Sequence, residues 1–383
     1  MSIHIAIPAL DELDFLPQTL EAIAQQKTDF PFFVYICVNQ PDAWWKDEHK
    51  IDICKHNQEL LEIIKTFNAF KITIIDRSSK GMGWKNNDCG VGWARKTLFD
   101  TIMETARDDN IIISLDADTL FSESYFQSIG ENFMQNNTEV LSVPYYHKLT
   151  QNENANRAIL RYEIYLRNYF INMHRIKSPY TFTALGSAIA VKTKALRKIR
   201  GITPLKSGED YYLLQKLRKM VPISTYNSEI VYPNARFSTR VPFGTGPAMI
   251  KGDSGNWESY PIYHYSLFNK IKETYDIIPQ LFTEDIETEF IDFLKMQYKT
   301  NDLWSPLRKN FKTLPLFTRA FHEKANGLRI LQFLKMKNNA LPPETSNELR
   351  VTGSVLELNE IRDTLFEIEM ELRKSSNSLI NNP

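Results

Sequence analysis

Three cysteines in 383 residues, Cys37, Cys54 and Cys89, are too few and too poorly spaced to form a disulfide framework. No CxxC pair occurs and no histidine stands at zinc spacing, so reduced thiols in a cytoplasmic setting are expected. Net charge is missing too. Lysine plus arginine and aspartate plus glutamate both total 46, which removes any global field that would draw the chain to nucleic acid. No run approaches the ~20 apolar residues of a membrane span. The opening "MSIHIAIPAL" lacks a basic segment ahead of an apolar core, so a cleaved signal is not expected. Glycine is absent from "PALDELDF", which excludes a Gly-rich phosphate loop after the first apolar run. What is present is apolar content of 43%, enough for a large core, in a length that favours two domains or one elaborated domain.

The first 150 residues alternate between two periodicities. "IHIAIPAL" reads as a strand, and Leu16, Leu20, Ile23 and Ala24 follow at helical spacing. "FFVYICVNQ" and "KITIID" read as further strands, Ala94, Leu98, Ile102 and Ala106 mark a helix, and "NIIISLDAD" supplies a fourth strand. The alternation predicts an α/β fold with a mostly parallel sheet flanked by helices. Ligands in such sheets sit outside the carboxyl ends of the strands, where Asp11, Glu12, Asn39, Asp76, Asp116 and Asp118 fall.

Two carboxylates one residue apart, Asp116 and Asp118, suit a hard divalent cation such as Mg2+ or Mn2+ that also grips phosphate oxygens. The same residues admit plainer roles, one capping the helix near Ser122 and the other solvated. A sharper rival is the phosphatase pattern of the haloacid dehalogenase superfamily, with Asp116 as nucleophile and Asp118 as acid/base. A non-catalytic nucleotide- or glycan-binding descendant of the fold is the third alternative.

Five segments, taken in order, decide among these: "IAIPALDELDFLPQTLEAIAQQ", "GVGWARKTLFD", the DADT stretch, "ALGSAIAVKTKALRKIRGI" and "SGEDYYLLQKLRK". Together they resemble family 2 glycosyltransferases of the GT-A fold, over roughly Ser2 to Gly246. The resemblance implies a metal-dependent, inverting transferase that moves a sugar from a nucleotide-diphospho-sugar to a cell-surface glycan or lipid-linked acceptor. It places Pro8, Glu12 and Asn39 around the nucleotide base; Asn39 replaces a common aspartate, so uracil, guanine and thymine all stay open. It puts Arg95 near the nucleotide, Asp118 on the metal and Asp116 on ribose or metal. The second acid of its ED pair is Asp210, which becomes the base that takes the acceptor proton, with Glu209 orienting the loop or acceptor.

Downstream, "NARFSTRVPFGTGPA" carries Arg236 and Arg240 ahead of Gly244 and Gly246 and reads as a diphosphate-facing loop or as a basic hairpin over the sheet. It departs from the QxxRW box of processive synthases. His264 is the leading candidate for a third metal ligand, and Trp84, on a Gly- and Asn-rich loop, for an acceptor contact.

The expected division is a GT-A domain over 1–265 and a helical extension over 266–383, with a linker-like "NNALPPETSNE". Between Arg308 and Lys337 eight basic residues are opposed locally only by Glu323, a pattern suited to peripheral contact with the inner face of an anionic membrane. Leu358, Ile361, Leu365, Ile368 and Leu372 form a short heptad seam that suits either a homodimer or intramolecular docking.

Overall fold

A computed structural model describes residues 1–85, 88–242, 244–342 and 351–380. From residue 343 onward, the linker-like stretch lies outside the described residues.

Strands form where the sequence places β-branched runs. β1 (Ile3–Ala9) is buried at every position, and Ile111, Ile112 and Ile113 of β4 (Ile111–Ser114) have no exposure at all. Such two-sided burial marks interior strands of a sheet covered on both faces. With β2 (Phe32–Asn39), β3 (Ile72–Arg77), β6 (Val140–Ser142) and β7 (Ile189–Lys192), they make a six-stranded sheet ordered β3-β2-β1-β4-β7-β6. The pairs β1–β2, β2–β3 and β1–β4 are parallel, while β7 runs antiparallel to both neighbours. β5 (Thr119–Phe121) leaves this sheet and pairs antiparallel with β8 (Val231–Pro233).

The strand order has a consequence for ligand binding. The chain winds outward from β1 through β2 to β3, then returns across β1 to lay down β4. Adjacent connections therefore leave β1 and β4 in opposite directions, and a crevice opens at their carboxyl ends. Those ends carry the segments Asp11–Glu12 and Asp116–Asp118.

The helices used below are α1 (Leu16–Ala24), α2 (Ile51–Thr66), α3 (Val91–Thr105), α4 (Tyr125–Gln135), α5 (Glu153–Arg175), α6 (Thr193–Lys198), α7 (Glu209–Arg218), α8 (Thr245–Asp253) and α9 (Tyr265–Asp276). Two compact units result. One comprises Met1–Ile159, Phe182–Gly255 and the residues from Met370, and holds both sheets; the other comprises Leu160–Thr181 and Asn256–Glu369 and is helical.

The helical unit is built on aromatic packing, with Phe290 against Phe333 and Trp304 against Phe321 at 5.0 Å between ring centroids. Two of its basic residues find acids outside the basic stretch, Arg308 pairing with Asp285 at 2.7 Å and Lys337 with Glu289, while Arg319 pairs with the local Glu323 at 3.4 Å. The same unit buries a charged cluster in which Arg167 binds Glu163 at 2.9 Å and Glu369 at 2.7 Å, while Arg362 reaches Glu163 at 3.3 Å. On the last helix, Val355–Ile380, Arg362 and Glu369 are therefore buried, whereas Ile361 and Ile368 of the heptad seam are 41% and 40% exposed.

Candidate active site

The turn after β1 is held in a conformation that few side chains adopt. Asp11 has φ +56°, in the left-handed region, and the surroundings fix it: its N–H donates to Asn57 Oδ1 at 2.9 Å and its carboxylate meets His56 Nδ1 at 2.9 Å. Glu12 then starts the turn into α1, its carbonyl accepting from Phe15 and Leu16. Across the crevice, Thr19 of α1 donates to the carbonyl of Ala117 at 2.8 Å, and Ala117 itself is buried. Pinning that alanine inward sets the carboxylates on either side of it, Asp116 and Asp118, at the strand end. The apolar run thus ends in a fixed turn whose acids face the ligand edge. A cavity of about 100 Å3 opens beside Asp118, between Thr19, Leu120 and Tyr232.

The second acid pair arrives on α7. Gly208 supplies the left-handed residue (φ +76°) that turns the chain into the helix, so Glu209 and Asp210 occupy its first turn, where the helix dipole favours negative charge. Arg95 of α3 joins the two pairs. Its guanidinium is buried and donates through Nη2 to Asp116 Oδ1 and through Nη1 to Glu209 Oε1, with Nε on Ser114 Oγ at 3.1 Å. Burial works against its charge, but Asp116 and Glu209 outweigh that and hold the guanidinium above its ordinary range.

Gly186 makes this clamp sterically possible. A Cβ there would lie 2.0 Å from Arg95 Nη2. Gly186→Ala is expected to push the guanidinium off at least one carboxylate. The outcome is a stability loss of ~1–3 kcal/mol in urea unfolding and about a 100-fold loss of turnover through misplaced acids; wild-type values for both would show that the clamp tolerates displacement.

A third group closes the other side. Arg236 Nη2 contacts both Glu12 oxygens at 2.7 and 2.6 Å and Asp118 Oδ2 at 2.8 Å, with its guanidinium 4.0 Å from the Phe15 ring. Arg240 Nη1 binds Glu12 Oε1 and the Leu10 carbonyl, the latter at 2.8 Å.

Two carboxyls are displaced toward neutrality. Burial, followed by the charge of Glu12, pushes Asp118 up to about 6, against the opposing pull of Arg236. Burial and then Glu209 push Asp210 up to about 7, with Arg95 pulling the other way. Among the described residues Asp210 makes no ion pair; its Oδ1 accepts only from the N–H of Tyr211 at 2.7 Å.

The structure therefore gathers Glu12, Arg95, Asp116, Asp118, Glu209, Asp210, Arg236 and Arg240 from the residues the sequence singled out. Asn39 lies at the end of β2, donating to the Ala9 carbonyl at 2.9 Å and accepting from Trp84 Nε1 at 3.1 Å. Trp84 is not carried on a free loop: its backbone pairs with Gln40 and Asp42 at 2.9 Å each, and the Arg77 guanidinium lies 5.2 Å from its ring. Pro8 sits inside β1, buried and in register with Cys37. His264 belongs to the helical unit, where it caps α9 and its Nδ1 meets Ser266 Oγ at 2.7 Å. Among the described residues no three His, Cys, Asp or Glu side chains converge as a ready-made metal cage. Sequence reasoning passed over Gly186, Ser114 and Thr19; the glycine in "ALGSA" was a visible signal, but nothing local tied it to an arginine 91 positions earlier.

No protein-family model matches this chain, and no curated protein matches it. Among solved structures it is similar to residues 1–349 of S. aureus TarS in complex with UDP-GlcNAc, at 14% identity and TM-score 0.41, over 99% of this chain and 92% of that one. It is also similar to glucosyl-3-phosphoglycerate synthase from Mycobacterium tuberculosis in complex with UDP, at 11% identity and TM-score 0.36, over 67% of this chain and 80% of that one. The same enzyme with Mn2+, UDP-glucose and phosphoglyceric acid gives 12% identity and TM-score 0.38.

Proposed function

We propose that this chain is a glycosyltransferase that moves a sugar, with inversion, from a nucleotide-diphospho-sugar to a hydroxyl of a glycan or lipid-linked acceptor. The observation that carries the reading is the joining of two acid pairs at the β1/β4 crevice: Arg95 ties Asp116 to Glu209, and beside them Asp210, without an ion pair among the described residues, is pushed up to about 7. A base that must be free of its proton near neutrality to accept another has that character.

The residues present fit a divalent cation. The DxD donors are hard oxygens, and burial with Glu12 holds Asp118 well above the usual carboxylate range despite Arg236, so its charged form is only partly compensated and a dication would complete the compensation. Asp118 and Asp116 would hold Mn2+ or Mg2+, which when bound neutralises charge on the departing diphosphate. Arg236 and Arg240 offer forked donors to the same phosphates. Asp210 takes the acceptor hydroxyl proton as that oxygen bonds to the anomeric carbon, and the electron pair of the breaking C–O bond leaves with the diphosphate. Glu209, locked on Arg95, keeps the loop in place. The free thiols of Cys37 and Cys54 support a cytoplasmic setting, and exposed Leu314 and Leu316 beside exposed Lys309 and Lys312 support peripheral contact with an anionic membrane.

The reading is tested with a panel of UDP-, GDP- and dTDP-sugars and Mn2+. Release of nucleoside diphosphate from one donor class is the expected result; phosphomonoester turnover with a phosphoaspartate at Asp116, or binding with no turnover of any donor, would replace the transferase.

A further inference from the structure

A cation on Asp118 would conflict with the geometry of the site. Asp118, the carboxylate assigned to the cation, is already occupied by Arg236 at 2.8 Å. A divalent ion on that carboxylate would stand against a guanidinium at contact distance, in a largely buried setting where like charges repel strongly.

The way Arg236 is held shows that this contact is not its best arrangement. One nitrogen, Nη2, serves three carboxylate oxygens, two of Glu12 and one of Asp118, while the buried Nε has no hydrogen-bond partner among the described residues. A guanidinium normally spreads such contacts over its fork, and a buried donor left unused is unfavourable. Glu12 anchors the residue from below, shared with Arg240, and Phe15 lies against the guanidinium. Arg236 can thus leave Asp118 and remain tethered, with Nε free to take a new acceptor.

We propose that Arg236 is a two-position residue that stands in for the cation on Asp118 when the site is without ligands and turns its fork to the donor's diphosphate when cation and donor enter together. The inference rests on the metal-dependent reading above and adds a coupling to it. A cation arriving alone must displace a guanidinium that gains no new anion. A donor arriving alone meets Glu12 and Asp118 with their counter-ions already engaged. Arriving together, the cation replaces Arg236 on Asp118 and the diphosphate receives the freed fork, so each ligand raises the affinity of the other.

The test is Mn2+ binding to the full chain, by calorimetry and by the electron paramagnetic resonance of unbound Mn2+, with and without UDP or GDP. Wild-type protein is expected to bind Mn2+ at least ~10-fold more tightly when the accepted nucleotide is present. Arg236→Gln is expected to bind Mn2+ alone at least ~10-fold more tightly than wild type and to lose most of the tightening by nucleotide. Arg236→Lys, which keeps charge but not the fork, should retain weak binding of Mn2+ alone, and it checks that the change tracks charge rather than loop collapse. Equal Mn2+ affinity of wild type and Arg236→Gln in the absence of nucleotide overturns the proposal while leaving the metal reading intact. No Mn2+ binding by wild type under any condition removes the metal reading, and this inference with it.

Discussion

Asp210→Asn is expected to lower kcat for sugar transfer by ~100-fold or more while nucleotide affinity stays unchanged, because the amide keeps the shape of the carboxyl but cannot accept a proton. The wild-type rate should rise with pH through about 7, the value to which burial and Glu209 push this carboxyl, and the variant should lose that limb. Stability supplies an independent readout. The folded-state pKa lies above the ordinary 3.8, so between about pH 4 and 7 the native state holds a proton the unfolded chain gives up. The contribution of Asp210 is thus fully present at pH 4 and is lost as pH rises through 7. Asparagine carries no such charge, so the variant should gain more Tm relative to wild type at pH 8 than at pH 5, and gain little at pH 4. A Tm difference that is the same at all three pH values would mean the carboxyl is not perturbed by the fold. Near-normal transfer by Asp210→Asn, with Glu209→Gln inactive, would move the base to the neighbouring acid.

Arg95→Met is expected to destabilise the protein by ~3–5 kcal/mol, the scale for removing one partner of a buried ion pair, and to abolish transfer. The variant leaves Glu209, whose side chain is 2% exposed, without its counter-charge and frees Asp116 from the strand end. Lysine should not rescue it, since a single ammonium cannot span two carboxylates and Ser114 as the fork does. Combining Arg95→Met with Glu209→Gln should recover part of the stability, because the two changes remove the interaction together and are not additive. Urea unfolding and nucleotide-sugar turnover read both effects. A loss below ~1 kcal/mol for Arg95→Met, with weakened nucleotide binding as the main consequence, would mean that Arg95 faces the donor and not the acids.

The sequence by itself determined the α/β alternation and the places where acids stand. Period-two and helical spacings report which residues turn inward over a few neighbours, and they placed β1 to β4, α1 and α3 where these formed, while α2 was not read from them. Asp116 and Asp118 could be placed at a ligand edge because a buried apolar strand has to end in a turn, and acids there meet solvent. Pairing was another matter. Arg236 meets Asp118 across 118 positions and Arg95 meets Glu209 across 114, and only the return of the chain over β1, with the antiparallel entry of β7, brings them together. The last helix makes the same point from the opposite side. Its isoleucines promised the buried face, yet Arg362 and Glu369 took that face and left Ile361 and Ile368 partly exposed. A charged side chain is buried when a partner waits for it, and Glu163 and Arg167 lie about 200 positions away, where local periodicity carries no information about them. Local chemistry fixed what each segment would become; which charges would neutralise one another was decided by topology, because Coulomb partners are chosen by distance in space and not along the chain.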